Sequence, residues 1–119
     1  MRQDQAIVAL QCLASAPRLD VFRLLVRQGP DGLVAGEIAS TLGLPPTNLS
    51  FHLKALTQAG LLSVAAEGRF QRYRANLPLM TDLLGYLTEE CCAGHPEQCG
   101  ELDAVPGCTP VLMPLVAAD

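Results

Sequence analysis

The sequence predicts a small, mainly α (α+β) domain followed by an irregular C-terminal tail. Three observations carry that expectation. Apolar residues recur at spacings of three and four through the first sixty positions, which is the period of one helix face. Between Leu61 and Arg74 the pattern shortens to that of a strand pair. From Ala93 onward, four prolines and three glycines rule out a long helix.

The elements follow in chain order. Ala6, Leu10 and Leu13 lie on one face of a first helix. Ser15 offers an N-cap, and Pro17 falls in the first turn of a second helix, where its missing N–H costs little. The stripe of that helix is Leu19, Phe22, Leu25 and Val26, and Gly29-Pro30-Asp31-Gly32 ends it. A short third helix carries Val34, Ile38 and Leu42 and stops at Gly43, where a left-handed cap belongs. After the stiff turn Leu44-Pro45-Pro46, a fourth helix opens at Thr47 or a neighbour, faces inward with Leu49, Leu53 and Leu56, and closes at Gly60. Two short helices joined by a tight turn, the first ending in glycine, make a helix-turn-helix. Leu61 to Val64 and Arg69 to Arg74 read as two strands with Glu67-Gly68 near their turn. A basic hairpin in that position is a wing. The last helix starts near Leu77-Pro78 with Met80, Leu83, Leu84 and Leu87, and its stripe extended by four residues reaches Cys91. The predicted architecture is thus a winged helix-turn-helix of four helices, two strands and a fifth helix over residues 1–92. An acidic, Cys- and Pro-containing tail occupies residues 93–119.

At 119 residues with half of them hydrophobic, the chain fits one domain with a real core, and wholesale disorder is excluded. A domain this small gains from a partner subunit. No apolar run approaches the roughly 20 residues that span a bilayer, and the polar start Met1-Arg2-Gln3-Asp4-Gln5 lacks the features of a signal peptide, so a cytoplasmic protein without a membrane partner is expected. The net charge of −4 conceals an asymmetry. Residues 1–80 hold all eight basic residues and five acidic ones, whereas residues 81–119 hold seven acidic residues and no basic one. A mildly basic working domain precedes an acidic tail.

On the fourth helix, with the leucines inward, Thr47, Phe51, Lys54 and Gln58 point away, flanked by Asn48 and Ser50. Short polar groups near a helix N-terminus suit base edges in the major groove of double-stranded DNA, and Lys54 suits a phosphate. Arg69, Gln71, Arg72 and Arg74 on the hairpin extend the same surface toward the minor groove or the backbone. The plainer alternative for both sets is an ordinary solvated face. His52 lies about 60° from the inner stripe, which makes it half-buried and structural first and a phosphate donor second.

These motifs resemble the ArsR–SmtB winged-helix repressors. The resemblance runs through Pro17-Arg18-Leu19, the segment from Gly36 to Gly43, the segment from Leu49 to Leu56, Ala59-Gly60-Leu61-Leu62, and Glu67-Gly68-Arg69 with Tyr73. It covers roughly residues 6–92, and it implies a homodimer that sits on operator DNA and leaves when a metal or metalloid binds. With the first and last helices forming the interface, Leu10, Leu13, Leu83, Leu84 and Leu87 are the expected contact residues. One departure is informative. Many arsenic sensors of the family carry Cys-x-Cys on the first helix of the helix-turn-helix, but Leu33 to Ala39 contains no cysteine. The segment Glu90-Cys91-Cys92-Ala93-Gly94-His95-Pro96-Glu97-Gln98-Cys99 instead resembles a smaller arsenic-responsive branch with a vicinal pair past the last helix and a third cysteine beyond.

The chemistry points the same way. Thiolates are soft and select soft ions. Trivalent arsenic or antimony, keeping a lone pair, takes three sulfurs in a pyramid, and Cys91, Cys92 and Cys99 supply three. Cys108 is an alternate third ligand, and His95 fits a zinc or cadmium site through Cys92-x2-His95-x3-Cys99. A thiol-redox switch uses the same cluster. Cys12, between Leu10 and Leu13, reads as a small packing residue. The expected function is an As(III)-responsive repressor with no organic cofactor and no catalytic residue. Remoter readings are a thiol-dependent reductase, which needs an anion-binding loop that the cysteines lack, and a metal carrier, against which the wing arginines argue.

Overall fold

A computed structural model of the chain describes residues 1–89. Cys91, Cys92, His95, Cys99, Cys108 and the expected boundary at 92–93 lie outside the described residues. The first compact unit, Arg2–Leu77, holds α1 (Gln3–Leu13), α2 (Ala16–Gln28), a single 3-10 turn (Gly29–Asp31), β1 (Leu33–Val34), α3 (Ala35–Leu42), α4 (Pro46–Gln58), β2 (Leu62–Glu67) and β3 (Phe70–Ala75). The helix α5 (Leu77–Leu87) lies, from Pro78 on, in a second unit. No described helix is long and apolar enough to cross a membrane.

The helical core is that of a helix-turn-helix. Leu49, Leu53 and Leu56 of α4 are buried as the spacing predicts, and they join Ile38 of α3 and Leu25 of α2, all essentially inaccessible to water. Burying each of these side chains stabilises the fold by about 1.5–3 kcal/mol. Between α3 and α4, Gly43 stands in the left-handed region (φ 65°, ψ 31°), where a β-carbon is disfavoured, and its N–H closes onto Ala39 O. Pro46 then opens α4 at its first position, where no N–H is needed.

Two stripes lie rotated from their expected positions. In α1 the buried residues are Ala6 and Ala9, while Leu10 is 44% exposed and Leu13 half-buried. Small alanines let α1 lie close against its neighbours, which leaves the longer side chains at the margin. In α2, Val21, Phe22, Leu24 and Leu25 are buried, and Leu19 and Val26 face solvent on the opposite side. The leucine and valine pairs two or three residues apart offer competing faces, and packing against α4 selects the one containing Val21 and Leu25.

The sheet has one strand more than the sequence predicts. Its order is β1-β3-β2, all antiparallel, with Leu33↔Tyr73 and Val34↔Arg72 on one side and Leu62↔Ala75 through Glu67↔Phe70 on the other. Val34, expected on the third helix, is instead a strand residue and the N-cap of α3. Its N–H donates to Glu37 Oε1 at 3.0 Å, so the carboxylate caps the helix from inside its first turn. The hairpin is longer than expected, because pairing continues to Glu67 and leaves Gly68-Arg69 as a two-residue turn. At its foot, Asn76 Nδ2 donates to Gly60 O at 2.7 Å.

In α5, Leu84 and Leu87 are exposed, but Leu83 is 2% exposed within the chain.

Candidate nucleic-acid interface

The outward face of α4 presents Thr47, Asn48, Ser50, Phe51 and Lys54 to solvent, as the helical wheel requires. Phe51 is 67% exposed, the most accessible of the large apolar residues described. His52 is half-buried beneath it, with ring centroids 5.8 Å apart in an edge-to-face arrangement. Its Nδ1 is shielded from water and has no hydrogen-bond partner among the described residues. His52 therefore sits under the exposed face as a packing group.

The wing divides its polar residues between solvent and the protein. Arg69 at the turn is exposed. Gln71 accepts a hydrogen bond from Tyr73 Oη at 3.0 Å. Arg72 donates from Nε to Glu67 Oε2 at 2.8 Å and from Nη1 to Asp31 O at 3.1 Å, and Arg74 donates from Nε to Pro30 O at 2.7 Å. The bond to Glu67 holds the Arg72 guanidinium protonated more firmly still. Among the described residues, Lys54 and Arg69 have no such partners and keep their charge for solvent or a ligand.

A groove of about 400 Å³ runs between α4 and the hairpin β2–β3. Ser50, Lys54, Thr57 and Gln58 line it from α4, and Val64, Gln71 and Tyr73 line it from the strands. Thr57 gives its hydroxyl proton to Leu53 O at 2.7 Å, so that group is occupied within the helix. The groove thus offers one ammonium, the Ser50 hydroxyl and two amides over a largely apolar floor, groups that can meet phosphates and base edges. Thr57, Val64 and Tyr73 escaped the sequence reading. Their place depends on which strand face turns toward α4, and a short alternating pattern does not fix that.

Residues 13–65 match a family described as "Helix-turn-helix domain". No curated protein matches the sequence. Among solved structures, reduced HlyU from Vibrio cholerae N16961 is 30% identical over 71% of this chain and 88% of that one, with a TM-score of 0.57. The chain belongs to the ArsR/HlyU-type winged-helix transcriptional regulators. An ArsR-like transcriptional regulator from Rhodococcus sp. RHA1 shares the fold (TM-score 0.63, 24% identity, 71% of this chain and 76% of that one). A homodimeric winged helix-turn-helix domain from Mycobacterium bovis, a possible ArsR-family regulator, is 29% identical over 77% of this chain and 85% of that one, with a TM-score of 0.58. Family and fold are those of DNA-binding transcriptional regulators, not of enzymes. In this ArsR/HlyU-type regulator, α3 and α4 are the helix-turn-helix and β2–β3 is the wing.

Proposed function

We propose that the protein is a homodimeric repressor that binds operator DNA through α4 and the wing and leaves it when trivalent arsenic, or antimony, is captured by Cys91, Cys92 and Cys99. The vicinal cysteine pair directly beyond the last helix, with a third cysteine seven residues further on, carries this reading. Three thiols displace the three hydroxides of arsenous acid as water, forming three As–S bonds without any change of oxidation state. Soft sulfur favours that exchange over binding of hard ions. Residues 93–119 are then the segment that completes the ion site, and residues 1–92 the DNA-binding and dimerising part.

On DNA, Asn48 and Ser50 read base edges, Phe51 meets a thymine methyl, and Thr47, Lys54, Arg69 and Gln71 hold the backbone. Dimerisation is supported by apolar area that one chain leaves uncovered. Leu10 on α1 and Leu84 and Leu87 on α5 are exposed, and Ile7 and Val8 add exposed apolar area on α1. The M. bovis neighbour is described as homodimeric. Two recognition helices must lie about 34 Å apart to meet successive major grooves. Ion capture by the cysteines that follow α5 in such an interface changes that separation. The ion then weakens DNA binding, and DNA weakens ion binding by the same factor.

The test is a gel shift on DNA from the protein's own upstream region. Changing Cys91, Cys92 or Cys99 singly to Ser keeps DNA binding and abolishes release by arsenite, and X-ray absorption finds three sulfurs per arsenic and no nitrogen. If only the Cys108→Ser variant fails to respond, the third ligand is Cys108. Release at lower zinc than arsenite, with His95 required, establishes a zinc sensor. Release by peroxide alone establishes a thiol switch.

A further inference from the structure

The two arginines on the wing's central strand are both committed to one short segment far away in sequence. The acceptors, Pro30 O and Asp31 O, belong to the 3-10 turn that joins α2 to the helix-turn-helix, 44 and 41 residues before their donors. A third observation lies beside them. Gly32 has φ +60°, and a β-carbon there would overlap the Tyr73 carbonyl oxygen and stand 2.7 Å from Arg74 Cγ. The pairs Leu33↔Tyr73 and Val34↔Arg72 continue the same seam. Side-chain donors, a close backbone approach and a two-residue strand therefore fasten β3 to the segment entering α3.

We propose that Arg72 and Arg74 are positioning residues that lock the wing at a fixed angle to the helix-turn-helix, leaving Arg69 as the wing's cation for phosphate. The inference rests on the DNA-binding reading above. A two-stranded hairpin is marginal by itself in water, and β1 adds only two residues of pairing. A wing held in place before DNA arrives does not lose that freedom on binding. The planar guanidinium suits the task because Arg72 reaches Glu67 and Asp31 O at once, which the single ammonium of lysine does not do in one geometry.

Salt dependence separates positioning from contact. Each phosphate contact contributes about 0.9 to the slope of log K against log salt, and twice that in a symmetric dimer. With the full-length protein on a 30-base-pair duplex from its own upstream region, and on a random duplex, Arg69→Gln lowers the slope by that amount. Arg72→Gln and Arg74→Gln instead weaken binding at every salt concentration by a common factor, with the slope unchanged. Arg72→Lys behaves as Arg72→Gln, because keeping the charge does not restore the two-ended bond. In the free protein, the Arg72→Gln/Arg74→Gln double variant exchanges its β2 and β3 amides roughly tenfold faster, while Leu24 and Leu25 of α2 keep their protection, as expected for local release. A slope change in the Arg72 or Arg74 variants equal to that of Arg69→Gln overturns the inference, as does rescue by Arg72→Lys or unchanged wing exchange. If the wild-type protein binds neither duplex, the DNA-binding reading fails, and the exchange result alone decides whether the lock exists.

Discussion

Gly43 and Gly32 both hold positive φ, yet alanine at the two positions has different consequences. At Gly43 nothing lies within 4 Å of an added β-carbon. The cost is that of the left-handed conformation alone, about 1–2 kcal/mol. For a domain of this size that lowers Tm by roughly 4–8 °C per kcal/mol. Asparagine tolerates the conformation better than alanine does, so Gly43→Asn melts above Gly43→Ala. At Gly32 the same conformational cost is joined by overlap with the Tyr73 carbonyl, a backbone atom that no rotamer change removes. Relief requires β1 and β3 to part, which adds an overpacking cost of about 1–3 kcal/mol. Gly32→Ala therefore melts well below Gly43→Ala, and Gly32→Asn is no better than Gly32→Ala. Thermal unfolding followed by far-ultraviolet circular dichroism gives the order, and a gel shift at about 20 °C, below the onset of global melting, gives the consequence: Gly43→Ala still binds DNA, while Gly32→Ala does not. Equal melting of the two alanine variants would refute the close approach of Gly32 to the wing.

Lys54→Ala weakens operator and random DNA alike and lowers the salt slope, whereas Asn48→Ala or Ser50→Ala mainly erases preference for the operator; competition assays at several salt concentrations distinguish them. Leu84→Asp places an uncompensated charge in the proposed subunit interface, and sedimentation then shows monomer with reduced DNA binding. Cys12→Ser leaves the arsenite response intact. Burial pushes the Cys12 thiol up, with Arg18 opposing, so its proton is held more firmly in the folded chain. The stability this provides is complete below the unfolded thiol's range near about 8.5 and is lost as pH rises through the folded value. Denaturant titrations of wild type and Cys12→Ser between neutral and alkaline pH therefore converge as the pH rises.

The helix-turn-helix was legible because its signals agree at every level. Leu49, Leu53 and Leu56 repeat at helical spacing, Gly43 supplies the cap, and Pro46 starts the next helix. The rotated stripes of α1 and α2 were not, because both helices carry more apolar residues than one face can bury. Ala6 and Ala9 win the inner side by being small, which no hydrophobicity pattern reveals. β1 was hidden for another reason. Two residues make no periodic signal, and Val34 is pulled out of the helix by a strand some forty residues further on. On the interface, the exposed set of α4 emerged from the wheel, whereas the fate of Arg72 and Arg74 depends on carbonyls that the hairpin pattern does not locate.

The strand order also sets a sequence of events in folding. The central strand is the last of the three to be made, so neither of its neighbours has a partner until β3 begins at Phe70. Helices form within about a microsecond and a hairpin with a tight turn within roughly ten. β2 and β3 therefore pair first, from a turn of two residues. Joining them to β1 closes a loop of some forty residues, and that loss of chain freedom precedes the contacts that offset it. Docking of the hairpin onto β1 is the step expected last, and chevron kinetics of substitutions along that seam should then show faster unfolding with little change in the folding rate.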